Sequence, residues 1–200
     1  MHTLLFLLLA LSIGSSQIEA VYQSPLGYSA RVPSGWLVIT QELLKREPDL
    51  FDRVLQNLVH SDPGLANSLR EEVRAGELDV LLRAEPGSPR FVDNINIRGQ
   101  KAKLAFSKDL VSAVCAQLLN PPAGSSPQVD GLRECVFKEA AGHPAMFMRK
   151  LGNGTTTLQF QILVSPTRVL AVTAVAKSET VDAVEEVLND LVQSLEFRRE

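Results

Sequence analysis

The chain has 200 residues, 45% of them apolar and 22% charged, with a formal net charge of −3. This is the size and composition of one globular domain, and it excludes a low-complexity or disordered chain. Acids and bases are interspersed, so neither the clustered basic face of a nucleic-acid binder nor strong attraction to an anionic membrane is expected.

The chain opens on an unbroken apolar run from Leu4 to Ile13. The run is shorter than the roughly 20 residues that span a bilayer and fits the h-region of a secretory signal, with a cut after Ser16 or Ala20. A buried N-terminal helix or strand is the competing reading. The expected organisation is a signal peptide over residues 1–20 and a single α+β domain over 21–200, exported, with no stable membrane span once the leader is gone. Removing the leader takes away Glu19 and no Lys or Arg, leaving 20 bases against 22 acids and a net charge of −2. No cysteine lies near the cut, so a lipid-modified N-terminal Cys is not expected.

Next, Tyr28 to Val32 and Trp36 to Thr40 alternate in strand fashion around Pro33-Ser34-Gly35. Pro33 suits the second position of a type I turn and Gly35 the last, so a hairpin is predicted. Trp36, the only tryptophan, reads as a large anchor in the core or at its rim, the alternative being a platform for a stacked ligand.

The pattern then turns helical. Pro48 and Asp49 open a stripe of Leu50, Phe51, Val54, Leu55, Leu58 and Val59, and Asp62-Pro63 opens a second with Leu65, Leu69 and Val73. Gly76 closes it as a C′ residue. Period two returns from Glu77 to Ala84, and turn residues follow from Glu85 to Pro89. The next strand, from Phe91 to Arg98, sets Ile95 and Ile97 on one face and Asn94 and Asn96 on the other. Asparagine is a poor strand former, so this pair marks a candidate polar binding face. Local hydrogen bonding at a solvent face is the plainer explanation.

A third helix is predicted from Ser107 to Asn120, with Val111, Val114, Cys115 and Leu118 on one stripe and Pro121-Pro122 as its stop. A polar linker to Gln128 leads into four strand-like segments, Leu132–Glu139, Ala145–Leu151, Thr155–Val164 and Arg168–Ala176. Asn153-Gly154 marks a hairpin between the middle two, and the same residues form a glycosylation sequon. The last strand is apolar on both faces and is expected to be central and covered on both sides. A final helix from Thr180 places Val184, Leu188, Leu191 and Val192 on one stripe.

Two cysteines in an exported chain allow a bridge between Cys115 and Cys135 and, equally, two buried free thiols. His2, His60 and His143 share no metal-ligand spacing with one another or with acids. There is no nucleophile elbow and no Gly-rich phosphate loop, and Glu71/Glu72 and Glu185/Glu186 read as exposed helix faces. The residues therefore give no catalytic or metal site and no cofactor.

Taken in order, the chain resembles the PsbP-like superfamily. The likeness is carried by Tyr28-Ser29-Ala30-Arg31-Val32-Pro33-Ser34-Gly35-Trp36, by Phe91-Val92-Asp93-Asn94-Ile95-Asn96-Ile97, and by Ser194-Leu195-Glu196-Phe197 after the closing helix. It implies an α-β-α sandwich around an antiparallel sheet and a non-enzymatic binding or assembly role with a protein partner. The helix pair between Pro48 and Gly76 departs from simpler members. The expectation is an exported, non-catalytic module of the envelope or extracellular space. The alternative is a carrier with a small or lipophilic ligand held between sheet and helices.

Overall fold

The computed structural model describes residues 21–50, 63–83, 93–102, 107–121 and 131–198. The expected leader, the stripe from Phe51 to Val59, His60, the Glu85–Pro89 turn, Phe91, Val92 and most of the Pro121–Gln128 linker lie outside these residues.

The alternating segments assemble into two antiparallel sheets. The large one joins β3 (Trp36–Ile39), β4 (Leu78–Arg83), β5 (Asn94–Lys101), β6 (Leu132–Ala140), β7 (His143–Leu151), β8 (Thr155–Ser165) and β9 (Arg168–Lys177). Their spatial order is β3-β4-β5-β9-β8-β7-β6. The small sheet has the order β1-β2-β10, from Val21–Gln23, Tyr28–Arg31 and Glu196–Phe197. Four helices among the described residues complete the architecture: α1 (Gln41–Arg46), α2 (Pro63–Ala75), α3 (Lys108–Leu119) and α4 (Val181–Gln193). The expected α+β arrangement of an antiparallel sheet flanked by helices is the one observed.

The opening hairpin is not. Its turn forms, with the Trp36 N–H donating to the Pro33 carbonyl at 3.2 Å. Pro33 is thus the first residue, one position from where the type I reading put it, and Gly35 takes the third position with φ +79°, as a type II turn requires. The two strands part company after it: β2 pairs with β1 and β10, whereas β3 pairs with β4. Tyr28, Ser29 and Ala30 are buried in succession, so β2 belongs under a second layer rather than on a half-solvated hairpin. The turn is a corner between sheets.

One face of the large sheet packs against α4. Ile95, Ile97, Phe147, Leu158, Phe160, Leu170 and Val172 meet Val184, Leu188, Leu191 and Val192 there, and Tyr28 and Ala30 close its margin. The helix stripe is the one its 3.6-residue period predicts. Trp36 packs against this core from the rim, beside a cleft of about 270 Å3 that Val184 and Val187 also line. Because the ring is only partly buried, Trp36→Ala is expected to cost about 2 kcal/mol, less than a fully buried aromatic. Urea titration of the variant measures it.

The opposite face carries two separate apolar pads. Leu44 of α1 and Val73 of α2 pack there on Ile39, Leu78, Val80 and Leu82. Under α3 lie Val111, Cys115, Cys135 and Met146, with Phe137 and Met148 packed beside them. α1 was not foreseen. It starts directly after the expected strand end, because the Thr40 hydroxyl accepts from the Leu43 N–H at 3.1 Å and caps the helix. β9 is the central strand, yet its Thr173 and Val175 are only half-buried, since no described helix covers the middle of this face.

Candidate functional site

Strand register decides what occupies that middle. Reading across the sheet, Val80 pairs with Asn96, Asn96 with Thr173, Thr173 with Gln159, Gln159 with Met148, and Met148 with Cys135. Directly paired residues point to the same face. Each end of this row is therefore apolar and each central position polar. The neighbouring rows run through Leu82, Asn94, Val175 and Thr157, and through Leu78, Arg98, Ala171 and Gln161, polar on β5 and β8 with an apolar residue on β9 between them.

The result is a furrow along β9. Its floor is the short side chains of Ala171, Thr173 and Val175; its walls are Asn94, Asn96 and Arg98 on β5 and Thr157, Gln159 and Gln161 on β8. With strands about 4.8 Å apart, the walls stand about 10 Å from each other, and the floor runs about 14 Å. A cavity of about 200 Å3 opens in it, lined by Asn96, Arg98, Gln159, Ala171 and Thr173 with Leu69 of α2 at its edge. That is smaller than the roughly 300–1,000 Å3 of pockets that enclose drug-sized ligands.

The wall groups are ordered by one another. The Asn96 amide donates to Asn94 Oδ1 at 3.0 Å, and Gln159 Nε2 donates to Thr173 Oγ1 at 3.0 Å. Arg98 is held by Glu72, which reaches it from α2. Glu72 thus corrects one expectation: of the Glu71/Glu72 pair, the second turns inward to the sheet. Glu185 does the same on α4, pairing with Arg149.

Cys115 and Cys135 are bonded, their Cα atoms 5.1 Å apart and 20 residues apart in sequence. The bridge fixes α3 over its pad and so holds one bank of the furrow. Closing a loop of this length is worth about 3 kcal/mol through the unfolded chain. Reduction, or Cys115→Ala with Cys135→Ala, is expected to lower stability by about that amount; denaturant midpoints with and without a dithiol check it.

A buried carboxylate went unnoticed in the sequence. Asp79, 1% exposed, accepts from Tyr22 Oη at 2.9 Å, Ser24 Oγ at 2.5 Å and Tyr28 Oη at 2.6 Å. These hydroxyls come from the small sheet and its β1–β2 connection, so Asp79 pins that sheet onto the large one. The one signal was an acid interrupting an apolar strand between Leu78 and Val80. Burial, and then the neighbouring Asp79 charge, push the Tyr22 and Tyr28 hydroxyls well above the ordinary tyrosine value of 10.0. Their protonated forms stabilise the fold, a contribution complete below pH 10 and lost as pH rises through the higher folded values. Unfolding free energy should therefore fall steeply between about pH 10 and pH 12. Denaturant titrations across that range read the fall, and a flat profile would contradict the buried pair.

His143 opens β7. Its Nδ1 lies 3.2 Å from the Leu163 carbonyl, and its ring packs edge-on against Phe197 at 4.8 Å. Asp93, 4% exposed, accepts from the Lys177 N–H and the Thr180 hydroxyl, tying β9 to the start of α4. Among the described residues no group of three or more His, Cys, Asp and Glu could hold a metal, and no helix is long and apolar enough to cross a membrane. Between the large sheet and α4, one of the places a carried ligand would sit, the core side chains named above pack together, with the cleft beside Trp36 at the rim.

No family model and no curated protein matches the chain. Solved structures do. The crystal structure of LpqN of Mycobacterium tuberculosis, involved in cell envelope biogenesis, has a TM-score of 0.52 at 14% identity, covering 86% of this chain and 83% of LpqN. The solution structure of cyanobacterial PsbP from Synechocystis has a TM-score of 0.46 at 11% identity, covering 94% of this chain and 98% of that one. A Bacteroides thetaiotaomicron structure has a TM-score of 0.43 at 12% identity, covering 90% of this chain and 48% of that one. At 14% identity the likeness to LpqN is one of fold alone.

Proposed function

We propose that a chain sharing the LpqN fold, with an oxidised cysteine pair and a polar furrow that no described helix covers, is an exported, non-catalytic binding module of the cell envelope whose ligand seat is the furrow along β9. The observation that carries this reading is the break in the sheet's apolar face: both ends are padded by helices, and the centre presents ordered amides and hydroxyls. A protein burying this face for stability alone would place apolar residues there, since an amide that loses water without a full set of partners costs free energy. Export is supported by the leader-like segment Leu4–Ile13 and by the disulfide, which persists in oxidising compartments. The envelope assignment is brought from LpqN, described as involved in cell envelope biogenesis.

Fractionation of cells producing the full-length chain with a C-terminal tag tests the proposal. The expected result is a processed protein in envelope or medium fractions with no thiol reactive after unfolding without reductant. An unprocessed cytoplasmic protein with two reactive thiols would overturn it.

A further inference from the structure

We propose that the furrow accepts a neutral oligosaccharide strand lying along β9; the assignment rests on the reading of the furrow as the ligand seat. Three features of the furrow lead to this chemistry.

The first is the type of group on the walls. Beyond their bonds to Asn94 and Thr173, Asn96 and Gln159 each keep an acceptor oxygen and one amide proton; Gln161 carries an acceptor oxygen and a two-proton donor, and Thr157 a hydroxyl. Sugar hydroxyls also donate and accept at once, and the fork of a carboxamide spans two vicinal ones. A ligand with only acceptors, or only donors, would leave half of this capacity unmatched.

The second is charge. The ionic groups at the furrow's rims close on each other, Arg98 with Glu72 and Lys177 with Glu179, the latter at 3.8 Å. Lys150 stands one strand farther out, paired to Thr157. A polyanion would meet Glu72, and a polycation would meet Arg98. An uncharged chain meets neither penalty.

The third separates a glycan from an extended peptide. Peptides that add to sheets do so through the unpaired backbone of an edge strand. β9 is hydrogen-bonded on both sides, to β5 and β8, so its backbone has nothing to offer a further strand. The short floor of Ala171, Thr173 and Val175 also provides no alternating pockets for peptide side chains. It does leave depth for a flat ring between the amide walls.

Nuclear magnetic resonance titration of the mature chain tests this. The probes are cellohexaose, maltohexaose and chitohexaose, a neutral Gly-Ser-Asn peptide of similar length, and an oligouronate. At least one neutral oligosaccharide should shift the side-chain amide signals of Asn94, Asn96 and Gln159, with an affinity changing less than about twofold when salt screens charge. Thr173→Phe, which fills the floor, should weaken that binding at least about tenfold, and the milder Asn96→Ala about threefold. Furrow shifts from the peptide alone, or from the oligouronate alone, overturn the oligosaccharide assignment and leave the furrow as the seat. Furrow amides unmoved by every probe overturn both.

Discussion

Asp79→Ala is expected to lower the unfolding free energy by about 4 kcal/mol. Each hydrogen bond to a charged acceptor contributes about 1.5–3 kcal/mol, and three hydroxyls lose their acceptor together. Ser24 and Tyr28 are fully buried, so water cannot replace what they lose; Tyr22 is half-buried and suffers less. Against this loss stands the relief of no longer burying a carboxylate, which keeps the total below the simple sum. Asp79→Asn, which keeps an acceptor oxygen in place, should cost about half as much. Denaturant midpoints at unchanged m-value measure both, and a loss under about 1 kcal/mol for the Ala variant would show that the small sheet is held by other means.

Phe147→Ala is expected to cost about 4 kcal/mol. The ring is fully buried in the core on the α4-covered face, tilted against Phe160 with centroids 4.9 Å apart. Lys138 Nζ lies 3.8 Å above its centroid, adding a cation–π contact of about 0.5–1 kcal/mol. Phe147 points away from the furrow, as does Phe160 between the wall residues Gln159 and Gln161. The variant therefore separates the two faces: the core loosens while the paired wall amides keep their register. Calorimetry of the variant reads the stability, and a drop below about 2 kcal/mol would mean that the core collapses into the space.

What could be read from the sequence follows from how far each determinant reaches along the chain. Helix stripes such as Val184, Leu188, Leu191 and Val192, and the Asn153-Gly154 turn between β7 and β8, depend on neighbours a few residues away, and they were legible. The corner at Pro33–Trp36 misled because a turn specifies a reversal and not which strands then pair; β3 found its partner in β4, some 40 residues on. Asp79 was illegible for the same reason, its tyrosine partners lying 57 and 51 residues upstream. The Asn94/Asn96 pair could be seen from alternation alone. That Thr173 and Gln159 would stand beside it required the register of β5, β9 and β8, which no local pattern carries. The Cys115–Cys135 bridge was open to prediction because only two cysteines were present.

The account turns on the furrow being a seat and not a solvated surface. Isothermal titration of an oligosaccharide that binds the wild-type chain into the Thr173→Phe variant tests this most directly. The expected result is affinity weakened at least about tenfold in a variant that still unfolds cooperatively, its denaturant midpoint lowered by no more than the lost Gln159–Thr173 hydrogen bond accounts for. Equal affinity in a folded variant would contradict it.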